Sequence, residues 1–83
     1  MTKLFRPAIP IQVEENPDGT PAEFLYRGNL SRVKQICSHW RIKEGWWRNE
    51  IEREYFQLET PKFACMIYQD LLSSGWYLQR IHD

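Results

Sequence analysis

The chain has 83 residues and no net charge, which is enough for one domain and too short for a second. A hydrophobic content of 42% excludes a disordered tail, and no apolar run approaches the roughly 18 residues of a membrane span. The start of the chain lacks the apolar stretch of a secretion signal, so we expect a cytoplasmic protein with no membrane partner.

The charge is unevenly distributed along the chain. The segment from Arg27 to Arg53 carries seven basic and three acidic side chains, so its net charge is +4 and that of the remainder is −4. An asymmetry of this kind bears on the partners of a protein rather than on its fold.

The N-terminal part predicts one flexible segment and then a strand. Pro7 and Pro10 each remove a backbone donor, so residues 1–8 are expected to be flexible and regular pairing to begin after Pro10. Residues 9–83 are expected to form a single β domain. Ile11–Glu14 alternates apolar and polar residues as a half-buried strand does, and Asn16–Gly19 has the composition of a turn.

A hairpin is predicted next. Glu23–Arg27 reads as a strand with Phe24 and Tyr26 on one face, and Gly28-Asn29 is a two-residue turn signal. The long segment Leu30–Ile42 contains many poor helix formers, which favours a bent strand with a bulge near Lys34-Gln35. Its apolar residues are also spaced by three and four, so a part-helical segment is the alternative.

The C-terminal half predicts three further strands. Ile51–Glu59 and Trp76–His82 alternate in the manner of strands, and Phe63–Tyr68 is rich in strand formers, although a helix over Ala64–Leu72 is an alternative. The last strand is apolar on both faces, with Trp76 and Leu78 on one and Tyr77 and Ile81 on the other. We therefore expect an all-β fold: a small antiparallel meander of five to six strands, strongly curled or barrel-like.

Catalytic chemistry is hard to assemble from this sequence. Cys37, His39 and Cys65 could form a metal or nucleophile site, but no ligand spacing supports one. The two cysteines are expected to be buried free thiols. We expect no catalytic residues, no metal and no cofactor, and hence a protein that is not an enzyme.

Arginine and tryptophan residues are interspersed in the basic segment. Trp46 and Trp47 lie close in sequence to Arg41, Arg48 and Arg53, and such clusters are typical both of protein interfaces and of surfaces that bind single-stranded nucleic acid. Neighbouring side chains on an extended backbone face opposite ways, so at least one of the two tryptophans is expected to be exposed. These five residues are the predicted binding patch.

The chain resembles a family of small bacterial domains of unknown function. A related form occurs near the C-terminus of the ImuB class of inactive Y-family DNA polymerases. The similar residues are Pro10-Ile11, Asp18-Gly19, Phe24, Tyr26, Val33, Trp40-Arg41, Trp46-Trp47, Arg53-Glu54-Tyr55-Phe56, Tyr68, Asp70, Gly75, Trp76-Tyr77-Leu78 and Asp83. Lys62–Met66 departs from the polar, glycine-containing turn of that family. The resemblance implies an accessory role near DNA damage tolerance.

These observations favour a binding module that contacts a partner protein, through the aromatic–arginine patch or through a free sheet edge. Single-stranded DNA is the alternative partner, and a homodimer is a further alternative.

Overall fold

The computed structural model describes residues 2–45 and 50–82. Within these ranges the chain forms seven strands and no helix, so the all-β prediction is confirmed with more strands than expected. No helix that could cross a membrane occurs in the described part of the chain. The strands are β1 (Thr2–Glu15), β2 (Pro21–Tyr26), β3 (Asn29–Arg32), β4 (Gln35–Glu44), β5 (Ile51–Glu59), β6 (Ala64–Asp70) and β7 (Trp76–His82).

All seven strands belong to one antiparallel sheet in the order β3-β2-β1-β7-β6-β5-β4, which curls into a half-barrel. The first strand pairs with both β2 and the last strand, β7, so β1 lies in the interior of the sheet. Pairing begins at Thr2, opposite His82, rather than after Pro10 as the two prolines suggest. The pairing of β1 with β7 is interrupted between Leu4 and Ile9, and Pro7, which follows a cis peptide bond, lies in this interruption.

The predicted turns are present, one of them shifted by a residue. At the β1–β2 turn, Gly19 has a φ of 88° and donates its N–H to the carbonyl of Asn16 at 2.9 Å. The next turn is centred on Arg27 and Gly28, both with positive φ, whereas the sequence suggested Gly28-Asn29. Two left-handed residues in a row give the turn geometry that matches strand twist.

The segment Leu30–Ile42 is extended, with no helical part, and it is broken near the predicted position. Val33 and Lys34 separate β3 at one edge of the sheet from β4 at the other. The Val33 N–H donates to Ala22 at 2.9 Å and the Lys34 N–H to Glu59 at 2.7 Å. Two adjacent residues therefore bond to strands near opposite edges, and the chain itself connects the two ends of the curled sheet.

The core lies on the inner face of the curl, which we define as the face that carries Phe56 and Leu58. The opposite face, which carries Arg53 and Tyr55, is the outer face. The side chains of β5 alternate between the two faces, and β6 is a strand rather than the alternative helix. The buried core residues are Phe24, Phe56, Leu58, Cys65, Ile67, Trp76, Leu78 and Ile81.

The prediction that Ile81 lies opposite Trp76 is wrong, because β7 contains a bulge. Ile67 pairs with Leu78 while the preceding Met66 pairs with Arg80, so Gln79 is an extra residue. An extra residue shifts the side-chain alternation by one. The bulge thus places Ile81 in the core beside Leu78 and leaves Tyr77 on the outer face.

Replacing Trp76 with alanine should lower the free energy of unfolding by about 3–5 kcal/mol, as large core truncations do. The indole is 7% exposed and packs against Phe56 with ring centroids 5.6 Å apart. Urea denaturation measures the loss. Leu72→Ala is the matched control, because Leu72 is 58% exposed in a loop and its truncation should have little effect. Equal stabilities of the two variants would contradict this description of the core.

Candidate functional site

The strand β4 lies at one end of the sheet and, within the described ranges, has a neighbour on one side only. Most of its side chains are exposed, and it carries polar or charged residues on both faces. The other end strand, β3, has only four residues. Short end strands offer little backbone for further pairing, whereas a long one is a template for another strand. The open side of β4 is therefore the main candidate interaction surface.

The hydrogen bonds of β5 determine which backbone groups of β4 are open. Glu52 accepts a bond from the N–H of Leu71, and Thr60 donates its N–H to Phe63, both at 2.8 Å. Even-numbered residues of β5 therefore point their backbone groups towards β6, and odd-numbered ones towards β4, because these directions alternate along an antiparallel strand.

This alternation leaves a regular row of open groups. Trp40 and Ile42 lie opposite Tyr55 and Arg53, so their backbone groups bond to β5. The intervening residues direct their N–H and C=O groups to the open side, and we call them the open row: His39, Arg41 and Lys43. The register is regular from Ser38 to Glu44, beyond the bulge at Cys37, so the row is uninterrupted.

On the outer face, Trp40 ends a row of four aromatic rings that crosses the sheet. Its ring is stacked on Tyr55 with centroids 5.5 Å apart and planes 4° from parallel. Tyr55 contacts Tyr68 at 5.0 Å, and Tyr68 contacts Tyr77 at 5.2 Å. Tyr55 and Tyr68 are buried while Trp40 is 38% exposed, so the row presents one rigidly supported indole at the sheet edge.

Arg53 supports this aromatic row from the same face. Its guanidinium lies 4.6 Å from the centroid of the Tyr68 ring and donates a hydrogen bond of 3.1 Å to the Tyr55 hydroxyl. The bond to Tyr55 raises the pKa of Arg53, and burial raises the pKa of the Tyr68 phenol. Arg53 therefore has two partners within the fold.

Arg41 lies on the inner face, away from Arg53. It is directly opposite Glu54, with Nη2 and Oε2 3.5 Å apart, and its side chain remains 62% exposed. On the same face, His39 stacks on Phe56 at 5.5 Å, and Lys43 lies opposite Glu52. The inner side of β4 is thus a row of cationic and imidazole groups backed by carboxylates of β5.

Of the five residues of the predicted patch, the structure describes Arg41 and Arg53. Trp46, Trp47 and Arg48 lie outside the described residues, so the exposure expected for one of the tryptophans stays a prediction. The structure does not bring Arg41 and Arg53 together, because they occupy opposite faces. Trp40 is not among the five residues of the predicted patch, yet it is the exposed indole of the described region. The signal that could have identified it is the set of polar and charged residues on both faces of this segment, which is typical of an end strand.

The cysteines differ from each other, contrary to the expectation that both are buried. Cys65 is fully buried, whereas Cys37 is exposed at the bulge of β4, and both are free thiols. The described residues contain no group of three His, Cys, Asp or Glu side chains placed to hold a metal ion.

The two thiols should react at very different rates. Burial raises the pKa of Cys65 to about 12, and only the thiolate is nucleophilic, so Cys65 should be inert in the folded protein. Partial desolvation and the nearby Glu59 also raise the pKa of Cys37, but its thiol is accessible and its reaction should quicken as the pH rises. A thiol-reactive chromogenic disulfide measures both rates. Cys37→Ser should abolish the native reaction, and a fast reaction in that variant would contradict the burial of Cys65.

One family model matches this chain. A domain of unknown function, DUF6504, matches residues 5–83. No curated protein and no solved structure matches the chain. The chain therefore belongs to the DUF6504 family, and its resemblance to a family of small domains of unknown function is confirmed.

Proposed function

We propose that this member of the DUF6504 family is a binding module rather than an enzyme, and that it binds an extended segment of a partner protein as an additional strand beside β4. The open row on β4 is the observation that supports this proposal most strongly. Three residues at alternate positions offer both a donor and an acceptor in one direction, which is the pattern that an added strand needs.

The exposed indole of Trp40 supports the same proposal. Tryptophan, tyrosine and arginine are the residues that most often dominate the energy of protein interfaces. Trp40 lies between His39 and Arg41 of the open row, and its stacking on Tyr55 holds the ring before any partner arrives. A ring that is already fixed loses little entropy on binding, so its contact contributes more to affinity.

The predicted patch extends this surface along the chain. Trp46, Trp47 and Arg48 follow β4 within a few residues, and we propose that they contribute contacts at the end of the docked segment. Arg53 contributes indirectly, because its contacts with Tyr55 and Tyr68 support the ring beneath Trp40.

Single-stranded DNA is the second candidate, since an exposed indole beside arginine and lysine suits base stacking and phosphate contact. The open row, however, offers backbone N–H and C=O groups at alternate residues. These groups pair with the backbone of a peptide strand, and a phosphate backbone has no matching donors and acceptors. This favours the peptide.

The resemblance to the C-terminal region of ImuB-type polymerases suggests where such a partner would act. We propose that the partner is a cytoplasmic protein of DNA damage tolerance. Strand addition beside β4 does not depend on the identity of this partner, because a fold does not determine a function.

His39→Pro should weaken strand addition by about tenfold or more, because proline removes one open donor and its ring obstructs the incoming strand. Fluorescent eight-residue peptides in which valine alternates with glutamate, glutamine or lysine are the probes, and anisotropy measures their binding. His39→Ala is the matched control, because both variants lose the stacking on Phe56 but only one loses the N–H.

Two outcomes would contradict the proposal. One is that no alternating peptide binds the wild type, or that His39→Pro binds as tightly as His39→Ala. The other is that a 20-nucleotide oligothymidylate binds more tightly than every peptide and weakens steeply between 50 and 200 mM salt, as phosphate contacts do. That result would favour single-stranded DNA as the partner.

A further inference from the structure

We infer that the docked strand carries acidic side chains at alternate positions, opposite Arg41 and Lys43, and apolar or aromatic side chains between them. This inference rests on the proposed function, and it names the chemistry of the partner. It follows from the face of the sheet on which each side chain of β4 lies and from the exposed positive charges of Arg41 and Lys43.

The acidic positions follow from the open row. A partner residue that exchanges backbone hydrogen bonds with Arg41 places its side chain on the same face of the sheet as Arg41. The Arg41 side chain is 62% exposed and meets the carboxylate of Glu54 through one nitrogen at 3.5 Å. A guanidinium has five N–H donors, so it can bind a second carboxylate on its open side. Lys43, two residues further along the same face, is also exposed.

The apolar positions follow from the outer face. Partner residues between the acidic ones lie opposite Trp40 and Ile42 in pairs without mutual hydrogen bonds, in which side chains approach most closely. Trp40 is 38% exposed and held flat by Tyr55, and Ile42 is half-buried beside it. Aromatic and β-branched side chains pair best with such neighbours.

A second copy of the chain fits this strand poorly. Antiparallel pairing of two β4 strands matches members of the open row with one another. If the two strands pair with Arg41 at the centre, the Arg41 of one copy lies directly opposite the Arg41 of the other. If they pair with Ile42 at the centre, Arg41 of each copy lies opposite Lys43 of the other. Like charges directly opposite are destabilising. The same two cations that oppose self-pairing attract an acidic strand.

The test compares the three alternating peptides on the wild type and on Arg41→Glu/Lys43→Glu. Two favourable cross-strand pairs predict that the Glu/Val peptide binds the wild type about 2- to 30-fold more tightly than the Gln/Val peptide, and the Lys/Val peptide most weakly. The double variant should reverse this order. Arg41→Gln/Lys43→Gln is the neutral counterpart and should remove the preference, which keeps the test decisive if the glutamate variant does not fold.

Failure of this inference is distinguishable from failure of the proposed function. If all three peptides bind the wild type equally and His39→Pro abolishes binding, strand addition stands and the acidic preference is wrong. A Glu/Val peptide with its residues in two blocks of four has the same charge without the alternation. If it binds as tightly as the alternating one, or if the chain elutes as a dimer that binds no peptide, both the docking mode and the inference are overturned.

Discussion

The connection at Val33 and Lys34 joins strands that lie at opposite ends of a seven-stranded sheet. At the usual spacing between strands, the two ends of a flat sheet of this size would be about 29 Å apart. Three residue steps, from Arg32 to Gln35, span at most about 11 Å. The sheet must therefore curl until its ends approach at this corner. The curl creates the concave inner face, where Phe56, Leu58 and their neighbours are removed from water, and among the described residues it leaves the long strand β4 paired on one side only.

The same constraint explains why the two faces of β4 differ in character. Its inner side chains meet the carboxylates of Glu52 and Glu54, beyond the apolar part of the core, while Trp40 on the outer face continues the row of tyrosines. A long end strand exposes a protein to uncontrolled association, and charged residues on it are a common protection. Arg41 and Lys43 fit that role towards a second copy of the chain. In the proposed function they also select among partners, because a charge that repels its own kind attracts its opposite.

Strand positions with clear alternation were predictable from the sequence, and long-range pairing was not. The limits of β5 and β7 match the apolar–polar pattern, since local alternation reports burial on a sheet directly. The central place of β1 depends on contacts with β7, some seventy residues away, which no local pattern encodes. The positions of the bulges at Cys37 and Gln79 are equally invisible: each bulge adds one residue and reverses parity, and so Cys37 is exposed and Ile81 is buried. The separation of Arg41 from Arg53 likewise follows from the β4–β5 register, which the sequence does not reveal.

Amide hydrogen exchange along β4, followed by NMR, tests the central claim most directly. In the free protein the amides of Trp40 and Ile42 should be protected by their bonds to β5, while those of His39, Arg41 and Lys43 exchange rapidly. On addition of the alternating Glu/Val peptide, the amides of the open row should become protected and the other two should change little. Equal protection of all five amides in the free protein would show that the side of β4 described as open is already occupied. Unchanged exchange at saturating peptide would show that binding occurs elsewhere.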